Sequence, residues 1–97
     1  MKTIYISGPM AGLPNFNFAA FDKAEHLLKS LGYQVFSPSV IGRRDMSLSY
    51  EYKLRKALIL MLECESIYFL KGYEFSLGAR LEKEIALALK MTILYEE

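Results

Sequence analysis

Cysteine and histidine are nearly missing from this chain: each occurs once among 97 residues, as Cys64 and His26. One cysteine excludes an internal disulfide framework, and one of each leaves a zinc cluster without its ligands. Excess charge of either sign is lacking too. Twelve basic residues stand against eleven acidic ones, and the basic residues are scattered, so no nucleic-acid surface is indicated. No run is long and apolar enough to span a bilayer. The opening MKTIYISG is too short for a signal-peptide apolar region, and no cleavage pattern follows it. Neither a P-loop nor a G-x-G-x-x-G turn is present, which removes the ordinary ATP and NAD sites. The expectation is a soluble, cytoplasmic protein with no metal, no cofactor and no membrane or nucleic-acid partner.

What is present is a globular composition, 53% hydrophobic and 24% charged, and a length that predicts one domain over residues 1–97. Residues 3–7, TIYIS, are β-branched and aromatic and predict a buried strand. Phe18, Phe21, Leu28 and Leu31 recur at helical spacing over about 15–31, with Asn15 or Asn17 as N-cap and Gly32 as the stop. YQVFSP, 33–38, reads as a second strand, and 39–49 as a polar loop holding Gly42, Arg43 and Arg44. A helix is predicted over about 50–64. Its centre, ALILML at 57–62, is apolar all round, which calls for cover on more than one side, by another copy of the chain. SIYFL, 66–70, is a third strand, 71–78 a turn, 78–90 a third helix with Leu81, Ile85, Ala88 and Leu89 facing inward, and TILY, 92–95, a fourth strand. Strands alternating with three helices predict an α/β fold: a small doubly wound, flavodoxin-like or Rossmann-like parallel sheet of order 2-1-3-4. In that order ligands bind beyond the carboxyl ends of strands 1 and 3. Those ends carry SGPMAG and KGYEFSLG, two glycine-bearing turns that would form one pocket, flanked by Tyr5 and Tyr73.

The second turn opens the third helix at Ser76-Leu77-Gly78, where free N–H groups favour an anion. Gly78 would let a ligand approach the backbone, and Ser76 either caps the helix or holds a phosphate oxygen. Glu82 lies about one turn in, where the helix dipole favours its charge. Glu84 points roughly 200° away. An ionised carboxylate beside a sugar can attack the anomeric carbon and form a covalent glycosyl-enzyme. The plainer reading of a helix glutamate is a solvated surface residue. His26 reads as a surface or half-buried residue, and Glu63-Cys64-Glu65 has no metal-ligand partner in view.

YISGPMAG at the first strand, GYQVFSP at the second and SLGARLEKEIALALKMTILY at the end together resemble the nucleoside 2-deoxyribosyltransferase-like superfamily, and within it the small, often phage-borne branch. The resemblance spans nearly the whole chain. It implies cleavage or exchange of the N-glycosidic bond of a (deoxy)nucleoside or its 5′-monophosphate. The family's S-x-G-x-x-x-E pattern falls on Ser76, Gly78 and Glu82, making Glu82 the expected nucleophile and Ser76 a phosphate contact. Ser7, Gly8, Pro9 and Met10 are expected to touch base and sugar. Of Arg43, Arg44 and Arg80, Arg80 is the one expected at a 5′-phosphate. The resemblance also implies a homodimer or larger homo-oligomer, in line with the apolar second helix. One position departs: the aspartate usual eight residues before the acidic residue ending the second helix is Ala57 here. That leaves as alternatives a slow enzyme, another acid such as Glu74 or Asp45, or a protein that binds a nucleotide or nucleotide signal without cleaving it. An oligomeric scaffold whose glycine turns are only turns is the remaining reading.

Overall fold

The computed structural model describes residues 2–97. Four strands, β1 (Thr3–Ser7), β2 (Gln34–Phe36), β3 (Ser66–Phe69) and β4 (Thr92–Tyr95), form one parallel sheet in the order β2-β1-β3-β4. The helices are α1 (Phe18–Ser30), α2 (Ser39–Arg44), α3 (Tyr50–Leu62) and α4 (Leu77–Ala88). The α/β class and the expected 2-1-3-4 order are what the molecule has. The winding reverses between β1 and β3, whose ends meet side by side, with Ser7 opposite Phe69.

Alternation along the strands sorts side chains onto two faces. Ile4, Ile6, Tyr68 and Leu70 pack under α1 with Phe21, Ala24 and Leu28. Tyr5, Ile67 and Phe69 face the other way, against Ala57 and Met61 of α3 and Ala86 of α4. Tyr5 and Ser7, two residues apart, therefore look toward α3 and α4 together.

Three expectations need correction. Residues 39–44 are not loop but a short helix, whose Gly42 packs against the Phe18 ring and whose Ser39 is buried. One and a half turns are too few to show a period in sequence. Helix α1 begins at Phe18, not near Asn15, because Asn15, Phe16 and Asn17 all take left-handed backbone (φ 50°, 51° and 60°). Asn17 stands at the N-cap without bonding the helix; its amide donates to the Pro9 carbonyl at 3.0 Å. Helix α4 turns inward a face that shares only Ile85, half-buried against the core, with the expected one. Its buried residues are Ala79, Glu82 and Ala86, while Leu81 and Leu89 are 41% and 54% exposed and Ala88 is exposed as well. Small residues at i and i+7 let the helix lie close on the sheet, and that contact outranks the larger apolar stripe.

In α3 the apolar centre divides: Ala57 and Met61 are buried, whereas Ile59 and Leu62 are 54% and 60% exposed. No helix among the described residues is long and apolar enough to cross a membrane.

Both long-helix ends preceding β2 and β4 close with i→i−5 bonds, Tyr33 N to Leu28 O and Met91 N to Ala86 O. The left-handed residue is Gly32 in the first, as expected, but Lys90 (φ 57°) in the second. An L side chain there costs about 1–2 kcal/mol. Lys90→Gly is expected to raise the thermal midpoint by roughly 4–8 °C for each kcal/mol regained, read by circular dichroism; an unchanged or lower midpoint would contradict this account.

Candidate active site

Glu82 points from α4 at β1. The Tyr5 hydroxyl donates to its Oε2 at 2.7 Å and the Ser7 hydroxyl to its Oε1 at 2.6 Å. The carboxylate is 4% exposed and both donors are fully buried. This is the sheet's period of two meeting the close approach of α4 through Ala79 and Ala86. The solvated-surface reading of Glu82 is thereby replaced.

Burial pushes the Glu82 carboxyl up to about 6, and the bonds from Ser7 and then Tyr5 pull back against that rise. Desolvation, which the expectation of an ionised Glu82 did not include, works against its charge. At pH 7 the group is still charged by roughly ten to one. Tyr5 is held well above the ordinary phenol range, by its own burial first and by the Glu82 charge second. It stays a neutral donor at physiological pH.

Above this carboxylate opens a cavity of about 250 Å³, just under the ~300 Å³ at which small-molecule sites usually begin. Of the residues expected at the site, Tyr5, Gly8, Met10, Ser76, Gly78 and Glu82 line it. Ser7 stands behind the lining, reaching the site only through Glu82. Pro9 turns toward Gly72 and Arg80 is exposed, both outside the lining. Arg43 is paired with Asp22 and lies over the Phe18 ring. Tyr73 does not flank the cavity; it packs with Phe69 and Tyr95 beside β4. Glu74 and Asp45 are exposed and line no part of it.

The glycines carry a different burden from the one expected of them. A Cβ on Gly8 would fall 2.8 Å from that of Leu70, so the end of β3, not a ligand, demands glycine there. The Leu70 amide binds the Ser7 carbonyl at 2.8 Å across the same contact. At Gly78 a Cβ would meet the Tyr50 hydroxyl at 3.1 Å, so helix α3 packs closely there, while Gly78 itself still lines the cavity. Ser76 caps α4, accepting from Ala79 N at 3.2 Å, while its side also lines the cavity.

Sequence reasoning missed the α3 wall, formed by Tyr50, Lys53 and Leu54 beside Ala57. These positions are i, i+3, i+4 and i+7, one helical face, and that spacing was the available signal. Lys53 reads in sequence as part of a solvated charged stretch, YEYKLRK. Phe16 was also missed, since only its left-handed backbone brings it to the cavity.

A family model matches residues 2–95, almost the whole chain. The chain belongs to DUF4406, a domain of unknown function. This DUF4406 chain matches no curated protein in sequence. In three dimensions it is similar to a 2-desoxiribosyltransferase from Leishmania mexicana, with a TM-score of 0.73 and 22% identity. The match covers 98% of this chain and 63% of the other, so the chain spans less than two thirds of that protein. The fold is nucleoside 2-deoxyribosyltransferase-like.

Because the folded-state pKa of Glu82 lies above its ordinary 4.5, its charging opposes folding. The associated stability is fully present below about pH 4.5 and is lost as pH rises through about 6, roughly 2 kcal/mol in all. Glu82→Gln, which never ionises, is expected to be more stable than the parent at pH 8 by up to that amount. The gap should close by pH 4. Thermal melts across this range test it, and a less stable variant at pH 8 would show the hydrogen bonds to outweigh desolvation.

Proposed function

We propose that the chain cleaves or exchanges the N-glycosidic bond of a deoxynucleoside or its 5′-monophosphate, with Glu82 as nucleophile. The observation that carries this is the charged, buried Glu82 carboxylate, held by two hydroxyls at the floor of a small apolar cavity. A carboxylate fixed through both oxygens loses little freedom on reacting, and its desolvation keeps it nucleophilic. Attack on C1′ expels the base and leaves a glycosyl ester on Glu82; water or a second base then resolves it from the face the first base left. Tyr5 and Ser7 hold the carboxylate and stabilise it as it is released. Gly8, Met10 and Ser76 line the space for sugar and base. The nucleoside character of the substrate rests on the likeness in sequence motifs and in fold.

A second reading, binding without cleavage, is favoured by Ala57. Among the described residues Glu82 is the only carboxylic acid on the cavity lining, which offers no second carboxyl to protonate a leaving base.

Chromatographic base release from each nucleoside and 5′-monophosphate, with and without a second free base, separates the two. Activity is expected to fall by roughly 10³-fold or more in Glu82→Gln while ligand still raises the melting temperature. A ligand-stabilised protein that releases no base would instead establish the binding reading. We also assign the exposed Ile59 and Leu62 of α3 to contact with a second copy of the chain. Ile59→Lys should lower the mass measured by light scattering toward that of the monomer, and an unchanged mass would remove the interface.

A further inference from the structure

Among the described residues, two charged side chains line the cavity, Glu82 and Lys53. They differ in depth: Glu82 is at the floor, 4% exposed, and Lys53 is half-buried on the α3 wall. Lys53 precedes Ala57 by four residues, so it shares that residue's face, ~6 Å along the helix. Its Nζ sits 4.0 Å from the centre of the Phe16 ring, which also lines the cavity. Neither ion pair among the described residues involves Lys53. Asp45, which feels its charge weakly, is held by the Ser47 hydroxyl and amide. Of the hydroxyls on the lining, Tyr5 donates to Glu82, Ser76 accepts from the Ala79 amide at the start of α4, and Tyr50 is a neutral phenol beside Gly78, so Lys53 is the cation among them.

We propose that Lys53 is the leaving-group residue of the site, giving its proton to the departing base in place of the acid absent at Ala57. The inference rests on the glycosidic reading of Glu82 and adds to it the group that completes the step. Displacement at C1′ requires nucleophile and leaving base on opposite sides of that carbon. With Glu82 attacking from the buried side, the base leaves away from it, and the less buried Lys53 is the other charged group on the lining among the described residues. The C1′–N bond breaks with its electron pair going to the base, as a Glu82 oxygen forms the C1′–O bond. The Lys53 ammonium transfers a proton to the base and becomes a neutral amine. In the second half the amine takes a proton from the attacking water, or from the N–H of an incoming base, and Glu82 is released as carboxylate. A cation on an aromatic face, free of a carboxylate, is positioned to meet charge that appears only as the bond breaks.

The test compares two leaving groups in the full-length protein. One substrate is the best nucleoside or nucleotide from the base-release assay; the other is 4-nitrophenyl 2-deoxyriboside, whose nitrophenolate departs without a proton. Lys53→Met keeps the length and apolar stem of the side chain. It is expected to lower kcat on the natural substrate by about 10²–10⁴-fold and to change nitrophenolate release by no more than a few-fold. Glu82→Gln should abolish both. Equal loss on both substrates, or no loss on either, overturns the role. So does a loss confined to KM and to 5′-monophosphates, which would make Lys53 a phosphate contact. A wild-type protein inert toward both substrates would instead remove the glycosidic reading itself, and the role of Lys53 with it.

Discussion

A carboxylate wedged between a helix and a sheet is costly unless its oxygens are bonded, and Glu82 meets that condition with the hydroxyls of Tyr5 and Ser7. Much of the molecule follows from holding those three groups together. Both donors must come from one face of one strand, which fixes them two residues apart on β1. The helix carrying Glu82 must lie close to that strand, which requires small residues, Ala79 and Ala86, on its inner face. The strand ends must also converge, and Gly8 allows Leu70 to pack where any side chain would collide.

The same constraint explains which parts of the structure were legible in the sequence. The strands are short runs rich in β-branched and aromatic residues, and that enrichment is a local property. The sheet order followed from alternation and right-handed crossover. The inner face of α4 was not legible, because pattern reading weights large apolar residues and the helix is instead set by two alanines and a buried glutamate. The motif picked out Glu82, yet nothing in its spacing distinguished a solvated carboxylate from a buried one. Its partners lie 75 and 77 residues away. Lys53 was lost for the opposite reason: a lysine between tyrosine and leucine in a charged stretch looks solvated until the cavity beside it is seen.

Of the non-glycine residues with left-handed backbone among the described residues, Asn15, Phe16 and Asn17 lie next to one another before α1, and Lys90 alone lies at the far end of α4. Asn15 and Asn17 tolerate left-handed backbone, but Phe16 between them does not do so freely. The turn is held by Asn17, whose amide reaches back to the Pro9 carbonyl, and it delivers the Phe16 ring to the cavity beneath the Lys53 ammonium. Unfavourable backbone that places one ring beside one cation accords with local strain collecting at working sites. The α1 face of the sheet, by contrast, holds an apolar core of Ile4, Ile6, Phe21 and Leu28.

The two charged residues on the cavity wall are set up in unlike ways, and the difference bears on cleavage against mere binding. Glu82 is kept in a state that destabilises its own charge, with a pKa near 6 that leaves it mostly ionised at neutral pH. Holding a neutral nucleoside does not by itself require a desolvated anion at the floor, since a protonated acid or an amide also offers hydrogen bonds. The charge becomes useful only if positive character develops nearby, as it does at an anomeric carbon losing its base. That step also creates negative charge at the other end of the breaking bond, and Lys53 is the cation on the lining that can receive it. If Glu82 attacks as proposed, the anion at the floor and the cation on the wall meet the two ends of the separating bond.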